Sequence, residues 1–122
     1  MGFLWVALGG AAGAMGRYAI SLAPLKPSFP VLTFITNVAG AVLIGFIVGI
    51  VESRENVSPG QVLFWKTGVC GGFTTFSTFS LETYQLFENK MYGMAALYAG
   101  LSVAGCFFGV LFGKKVLAGR FV

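Results

Sequence analysis

The sequence predicts an all-α integral membrane protein, a bundle of four transmembrane helices, and three observations lead there. The 122-residue chain is 57% hydrophobic and only 10% charged, against about 25% charged in soluble domains. Its mean hydropathy is +0.85, and a soluble chain of this size has too small an interior for that much apolar surface. The apolar residues also fall into four runs, each close to the roughly 20 residues that cross a bilayer. The length suits one domain, 1–122, with no soluble domain, linker or low-complexity tract left over.

The first run covers 3–23 and is stopped by Pro24 and Pro27. It lacks a basic leading region and is too long for a signal peptide, so it reads as a span. The second covers 31–51, entered after Pro30 and ended by Glu52, Arg54 and Glu55. The third covers 62–87 and follows the turn-like Ser58-Pro59-Gly60. The fourth covers 91–113 and is closed by Lys114 and Lys115. Connections this short call for a compact antiparallel bundle.

The net charge is +4. The cations are too few and too scattered for a surface that tracks phosphates, so nucleic acid is not an expected partner. Four spans put both termini and the 52–61 loop on one side, with Arg54, Lys114, Lys115 and Arg120, and Lys66 just inside the third span. Lys26, Lys90 and Arg17 belong to the other side. This bias favours cytoplasmic termini by a narrow margin. So small a margin permits insertion in both orientations, and with it an antiparallel dimer. Four helices are few for enclosing an aqueous pore, so any conduction path is expected between subunits.

The chain has no His, which removes the commonest general base and metal ligand. It has no metal-ligand cluster, phosphate loop or nucleophile–base pair, so an enzyme is not expected. Cys70 and Cys106 lie in apolar runs and read as buried small hydrophobes, not as a disulfide or metal pair.

Polar groups at membrane depth are costly and usually face the protein interior. Arg17 lies about a turn and a half from the end of its run. It reads either as a snorkelling cation or as a fixed positive charge at the mouth of an anion pathway. Asn37 has Thr33 one turn before it and Gly40 one turn after. It reads as an interhelical hydrogen bonder or as two amide donors for an anion. Tyr98, Ser102 and Cys106 follow i, i+4, i+8 and form one stripe of mildly polar tips. Gly93, Gly100, Gly105 and Gly109 call for close packing of the same helix. Glu82 is open to capping, to pairing with Arg17 or a Lys, or to an aqueous vestibule.

The densest feature is GGFTTFSTFS at 71–80. In an intact helix Phe73, Phe76 and Phe79 would form a drifting aromatic ridge with Thr74, Ser77 and Thr78 beside it. Gly71-Gly72 followed by Thr and Phe is a poor continuous helix, however, so the third helix is expected to break near Gly71–Thr74. A membrane helix breaks where the freed backbone is buried or lines a cavity. Freed carbonyls hold small cations, and freed helix N-termini attract anions. Phenyl edges are electropositive, so ring edges, hydroxyls and Asn37 together point to a narrow anion path.

Three stretches, GRY at 16–18, TNVAG at 36–40 and GVCGGFTTFSTFSLE at 68–82, resemble the small fluoride channels called Fluc or CrcB. The resemblance covers essentially the whole chain, and the 68–82 stretch is its most specific part. It implies a dual-topology homodimer of antiparallel subunits in a bacterial cytoplasmic (inner) membrane, with two passive pathways selective for fluoride over chloride. It implies export of fluoride that entered as hydrogen fluoride, and a structural sodium ion (Na+) at the dimer centre. Residue by residue, Phe76 and Phe79 match the pore phenylalanines and Asn37 the pore asparagine. Gly71 and Thr74 match positions whose carbonyls bind sodium. Arg17 matches a vestibule arginine, Glu82 a glutamate beyond the motif, and Ser77 and Thr78 a hydroxyl track. Tyr98 and Ser102 match polar positions of the fourth span. Cys106 departs from the pattern, standing where a serine or threonine is common; a thiol is the weaker donor.

Two other functions compete. A small dual-topology drug or cation exporter needs a membrane-embedded carboxylate, for which Glu82 is the candidate. A non-transporting assembly subunit predicts tolerance of any substitution in 73–79 that preserves packing.

Overall fold

A computed structural model describes residues 1–25, 29–54 and 56–119. Lys26, Pro27, Glu55 and Arg120, used above for charge balance or as helix stops, lie outside the described residues. Within them all regular structure is helical: α1 (Gly2–Ser21), α2 (Val31–Ser53), α3 (59–73), α4 (Phe76–Glu88) and α5 (Tyr92–Leu111). α3 opens with an α-turn, Pro59–Val62, widens to a π-helix over Leu63–Cys70 and closes with the turn Gly71–Phe73. α5 is prolonged by a second π-helical stretch, Phe112–Leu117.

Three helices are long and apolar enough to cross a membrane: Gly2–Ser21, Val31–Ser53 and Tyr92–Leu117. The third apolar run is divided between α3 and α4. Local chemistry fixes its ends. Ser58 Oγ accepts from the Gln61 N–H at 3.3 Å, with Pro59 opening the helix. The far end of α4 closes in a Schellman turn, in which the Met91 and Lys90 N–H groups return to the Leu86 and Phe87 carbonyls. That geometry sets Lys90 at φ 61, where a glycine is usual.

α1 packs along α3, α2 packs along α5 and its prolongation, and α4 crosses α5. The α1–α3 seam is made of backbone. A Cβ on Gly9 would run into the Phe64 carbonyl, and one on Gly13 into the Val69 carbonyl. Phe64 and Val69 are five apart, the i→i+5 hydrogen-bond spacing of a π-helix, while Gly9 and Gly13 are four apart on an α-helix. The widened helix thus presents successive carbonyls to successive glycine Cα–H groups. The second prolongation uses the same device, with Gly113 against the Val42 carbonyl.

Close packing at the glycines of α5 is only half realised. Gly105 and Gly109 lie against Val38 and Ala41 of α2, whereas Gly93 and Gly100 face open space. The buried core is small, centred on Leu86, Ala95 and Tyr98 with Phe29, Phe34 and Phe79 around it. Large apolar side chains such as Phe3, Leu8, Phe107 and Phe108 point outward, the lateral surface of a multi-pass membrane protein.

Candidate functional site

The interruption falls at two threonines. Thr74 (φ −82, ψ 157) and Thr75 (φ −148, ψ 116) are both extended. Backbone freed this way must find partners, and Asn37 supplies them. Its Oδ1 accepts from the Thr75 N–H at 2.8 Å, and its Nδ2 donates to the Thr75 carbonyl at 3.1 Å. The amide therefore works as the interhelical hydrogen bonder and pins the break open. Arg17 Nε donates to the Gly72 carbonyl at 3.2 Å, so its partner is freed backbone and not Glu82. Thr74 folds back, its hydroxyl and N–H both reaching the Cys70 carbonyl at 2.8 and 3.0 Å.

The continuous aromatic ridge of an intact helix is replaced by two separate groups. Phe73 stays with α3 and packs beside Gly16 and Gly40. Phe76 and Phe79 belong to α4, their ring centroids 5.6 Å apart, and Phe79 continues to Tyr98 at 5.1 Å. The Phe76 ring is 78% exposed on this protomer.

The break also begins α4. Thr75 Oγ1 accepts from the Thr78 N–H at 3.1 Å as an N-cap. The same oxygen meets Thr78 Oγ1 at 3.1 Å and Ser77 Oγ at 3.2 Å, so these hydroxyls form a cluster at the helix start. One level on, Glu82 accepts from the Thr33 hydroxyl at 3.0 Å and from the Tyr98 hydroxyl at 2.8 Å. Its partners are hydroxyls instead of a cation. Tyr98 is 0% exposed and sits in the core, so the stripe Tyr98, Ser102, Cys106 divides after its first member.

Three cavities meet around these groups. A groove of ≈ 570 Å³ is lined by Asn37, Thr75, Phe76, Phe79, Ser102 and Cys106, among others. Ser102 is 7% exposed and its Oγ has no hydrogen-bond partner among the described residues. A buried hydroxyl without a protein partner is satisfied by water, an ion or a ligand. A second cavity of ≈ 120 Å³ holds Arg17, Thr36 and Thr78, and a third of ≈ 400 Å³ holds Glu82, Gln85 and Asn89. Thr75 lines the first and second; Thr33 lines the second and third.

Thr75 is the residue that sequence reasoning left without a role, yet it holds the junction. The readable signal was an N-cap pattern: a Thr preceding a helix start, with its oxygen free for the N–H three residues on. Thr33, Gln85 and Asn89 also went unassigned. The two cysteines are free thiols. Cys70 is buried, as expected, while Cys106 is half-buried and lines the groove.

Backbone oxygens at the break fit a hard monovalent cation. The Thr75 N–H turns to Asn37, so the Gly71 carbonyl loses its helical donor at i+4. A Cβ on Gly71 would meet nothing within 4 Å, which places this residue on an open face of the protomer. Among the described residues no three His, Cys, Asp or Glu converge, so carbonyls are the donor type available.

Comparison with known proteins gives a consistent result. The family profile of the CrcB-like protein, Camphor Resistance (CrcB), matches residues 4–114. A relative from Flavobacterium psychrophilum is 45% identical over 102 residues, 81% of this chain and 82% of its own. One from Cereibacter sphaeroides is 42% identical over 120 residues, 95% and 94% of the two chains. One from Acidobacterium capsulatum is 38% identical over 125 residues, 97% and 100%. All three are named fluoride-specific ion channel FluC, a channel and not an enzyme.

Proposed function

This chain belongs to the CrcB-like family, and from that premise we propose that it is a passive, fluoride-selective channel that exports cytoplasmic fluoride. The observation that carries the reading at the level of the site is the orphan Ser102 hydroxyl, facing a groove whose other walls are Phe76, Phe79 and Asn37. Fluoride is small and strongly hydrated, so a path for it must replace lost water with close dipoles. Ser102 offers an unused O–H. Asn37 keeps one amide hydrogen beyond its bond to Thr75. Phe76 and Phe79 offer ring edges in a space that water leaves readily.

The protein acts as an antiparallel, dual-topology homodimer in a bacterial cytoplasmic membrane, with two pathways. The exposure of Phe76 supports this, because a ring 78% open on one protomer walls a narrow path only when a second copy covers it. Arg17 and the hydroxyls of Thr78 and Ser77 receive the ion in the vestibule. Tyr98 and Glu82 terminate the polar route on the side of the 400 Å³ cavity. The carbonyls of Gly71 and Thr74 would hold a structural sodium ion, which would supply a positive charge to the backbone oxygens freed at the break. Replacing Na+ by a bulky organic cation, with emptying of the site verified, is expected to stop transport; unchanged flux would remove the ion from the reading.

The deciding experiment loads liposomes containing the purified protein with fluoride or chloride and follows efflux on addition of a potassium ionophore. Fluoride is expected to leave far faster than chloride. Absence of fluoride efflux from a well-folded preparation would overturn the assignment.

A further inference from the structure

The 570 Å³ groove has a direction. Three helices line it with residues spaced about a turn apart: Asn37, Ala41 and Ile44 on α2, Ser102, Cys106 and Val110 on α5, and Thr74, Cys70 and Lys66 on α3. α3 runs opposite to the other two, so Asn37, Ser102 and Thr74 mark one end and Ile44, Val110 and Lys66 the other. Eight residues at about 1.5 Å each make the lane about 12 Å long. Its polar end is the helix break. Its far end, nearer the chain termini, has one charged group.

Lys66 is the sole charged residue described in the groove lining. It lies inside the π-helical stretch, about 10 Å along α3 from Pro59. Two other cations near the membrane ends of the bundle have partners: Arg17 donates to the Gly72 carbonyl, and Lys114 pairs with Glu52 at 3.0 Å. Lys66 has neither a hydrogen bond nor an ion pair among the described residues, and its neighbours at that end of the groove are Thr67, Ile44 and Val110. Lys66 is exposed, so its ammonium stands open at the mouth of a groove lined by no other charge among the described residues, where its field draws anions in. The groove is the route by which one would come.

We propose that Lys66 captures the anion at the terminus-side mouth of the groove and delivers it to the Ser102–Asn37 end, complementing Arg17 in the separate 120 Å³ cavity. Arg17 and Lys66 then flank the Thr75 junction from opposite ends. This rests on the channel reading above. The ammonium acts through its field and by direct contact at entry, so it sets how readily fluoride enters, not which ion passes the rings.

The test uses full-length protein in zwitterionic phosphatidylcholine vesicles, which carry no surface charge to mask the effect. Fluoride efflux is measured for wild type, Lys66→Gln, Lys66→Glu and Lys66→Arg at ionic strengths of about 0.01 and 1 M, where the Debye length falls from about 30 to 3 Å. At low salt Lys66→Gln is expected to lower initial flux about 5- to 10-fold, and Lys66→Glu further. Lys66→Arg should retain it, and the differences should shrink below about 2-fold at high salt. The half-saturating fluoride concentration rises in Lys66→Gln while the maximal rate holds. A loss equal at both salt concentrations would mark a packing defect and overturn the proposal. So would wild-type flux in Lys66→Glu, the outcome for a lysine that reaches only lipid phosphate. Wild-type protein that carries no fluoride would bring down the channel reading itself.

Discussion

α1 and α2 hold the divided third run in opposite ways. α1 meets α3 backbone to backbone, through Gly9 and Gly13 against the Phe64 and Val69 carbonyls. α2 meets the Thr74–Thr75 junction through one side chain, the Asn37 amide. At Gly9 and Gly13 the first contact leaves no spare volume, and Arg17 adds a polar side chain only at the end of that seam, on the Gly72 carbonyl. The second is polar, directional and adjacent to cavities. A seam of small residues fixes helix separation by close packing, whereas a buried amide fixes backbone that has left its helix. The frame is therefore steric, and the site is held by hydrogen bonds.

The hardest challenge to that division is Gly13→Ala. Its Cβ meets backbone, which cannot swing aside, so a loss of about 3 kcal/mol is expected, read as a large drop in unfolding temperature in detergent. An unchanged temperature would show that the seam has slack. Asn37→Leu comes next. It strands the Thr75 N–H and carbonyl at a cost of about 2 kcal/mol. Fluoride flux should fall at least about 10-fold because the junction and an anion donor go together. Retained flux would detach Asn37 from the pathway.

Phe76→Ile separates function from frame. The ring is mostly exposed on the protomer, so stability should change by less than about 1 kcal/mol. Flux should nevertheless drop several-fold as the electropositive ring edge is lost. Equal rates would remove the ring from the ion path. The smallest expected effect is the counterpart of the first. Gly71→Ala adds the same methyl group where nothing lies within 4 Å, at a helical φ of −63°, so the protomer should be unchanged or gain up to about 1 kcal/mol from the better helix former. If Gly71→Ala destabilised as much as Gly13→Ala, a methyl group in open space would cost as much as one in the seam, and the steric account of the seam would fail.

Much of this arrangement was legible in the order of residues. Gly71-Gly72 and Thr74-Thr75 together weaken a helix from both sides, and the chain does leave helical geometry at Thr74. Pro30 and Ser58-Pro59 mark helix starts in the structure. The π-helical stretches were not legible, because Leu63–Cys70 carries no composition that distinguishes i→i+5 from i→i+4 bonding. The turn at Lys90 was missed because the residue in the left-handed position is a lysine where glycine is the usual signal.

Partner choice escaped the sequence for a different reason. Arg17 and Glu82 looked like a possible pair because they are the opposite charges near one level of the bundle. The structure gives Arg17 the Gly72 carbonyl, 55 residues away in sequence, and gives Glu82 the hydroxyls of Thr33 and Tyr98. Tyr98, Ser102 and Cys106 share a helical stripe, but only Ser102 and Cys106 line the groove, since Phe29 and Phe79 cover Tyr98.

The sequence by itself determined which runs are apolar enough to cross a membrane, where the third run fails as a helix, and which side chains crowd that failure. These depend on hydropathy and backbone preference, which act over a few residues. Only the tertiary structure decided that Asn37 closes on Thr75, that Ser102 is left with an unused hydroxyl, and that Lys66 shares a groove with both. Those outcomes depend on helix separation, and separation is set by glycine seams whose partners lie far apart along the chain.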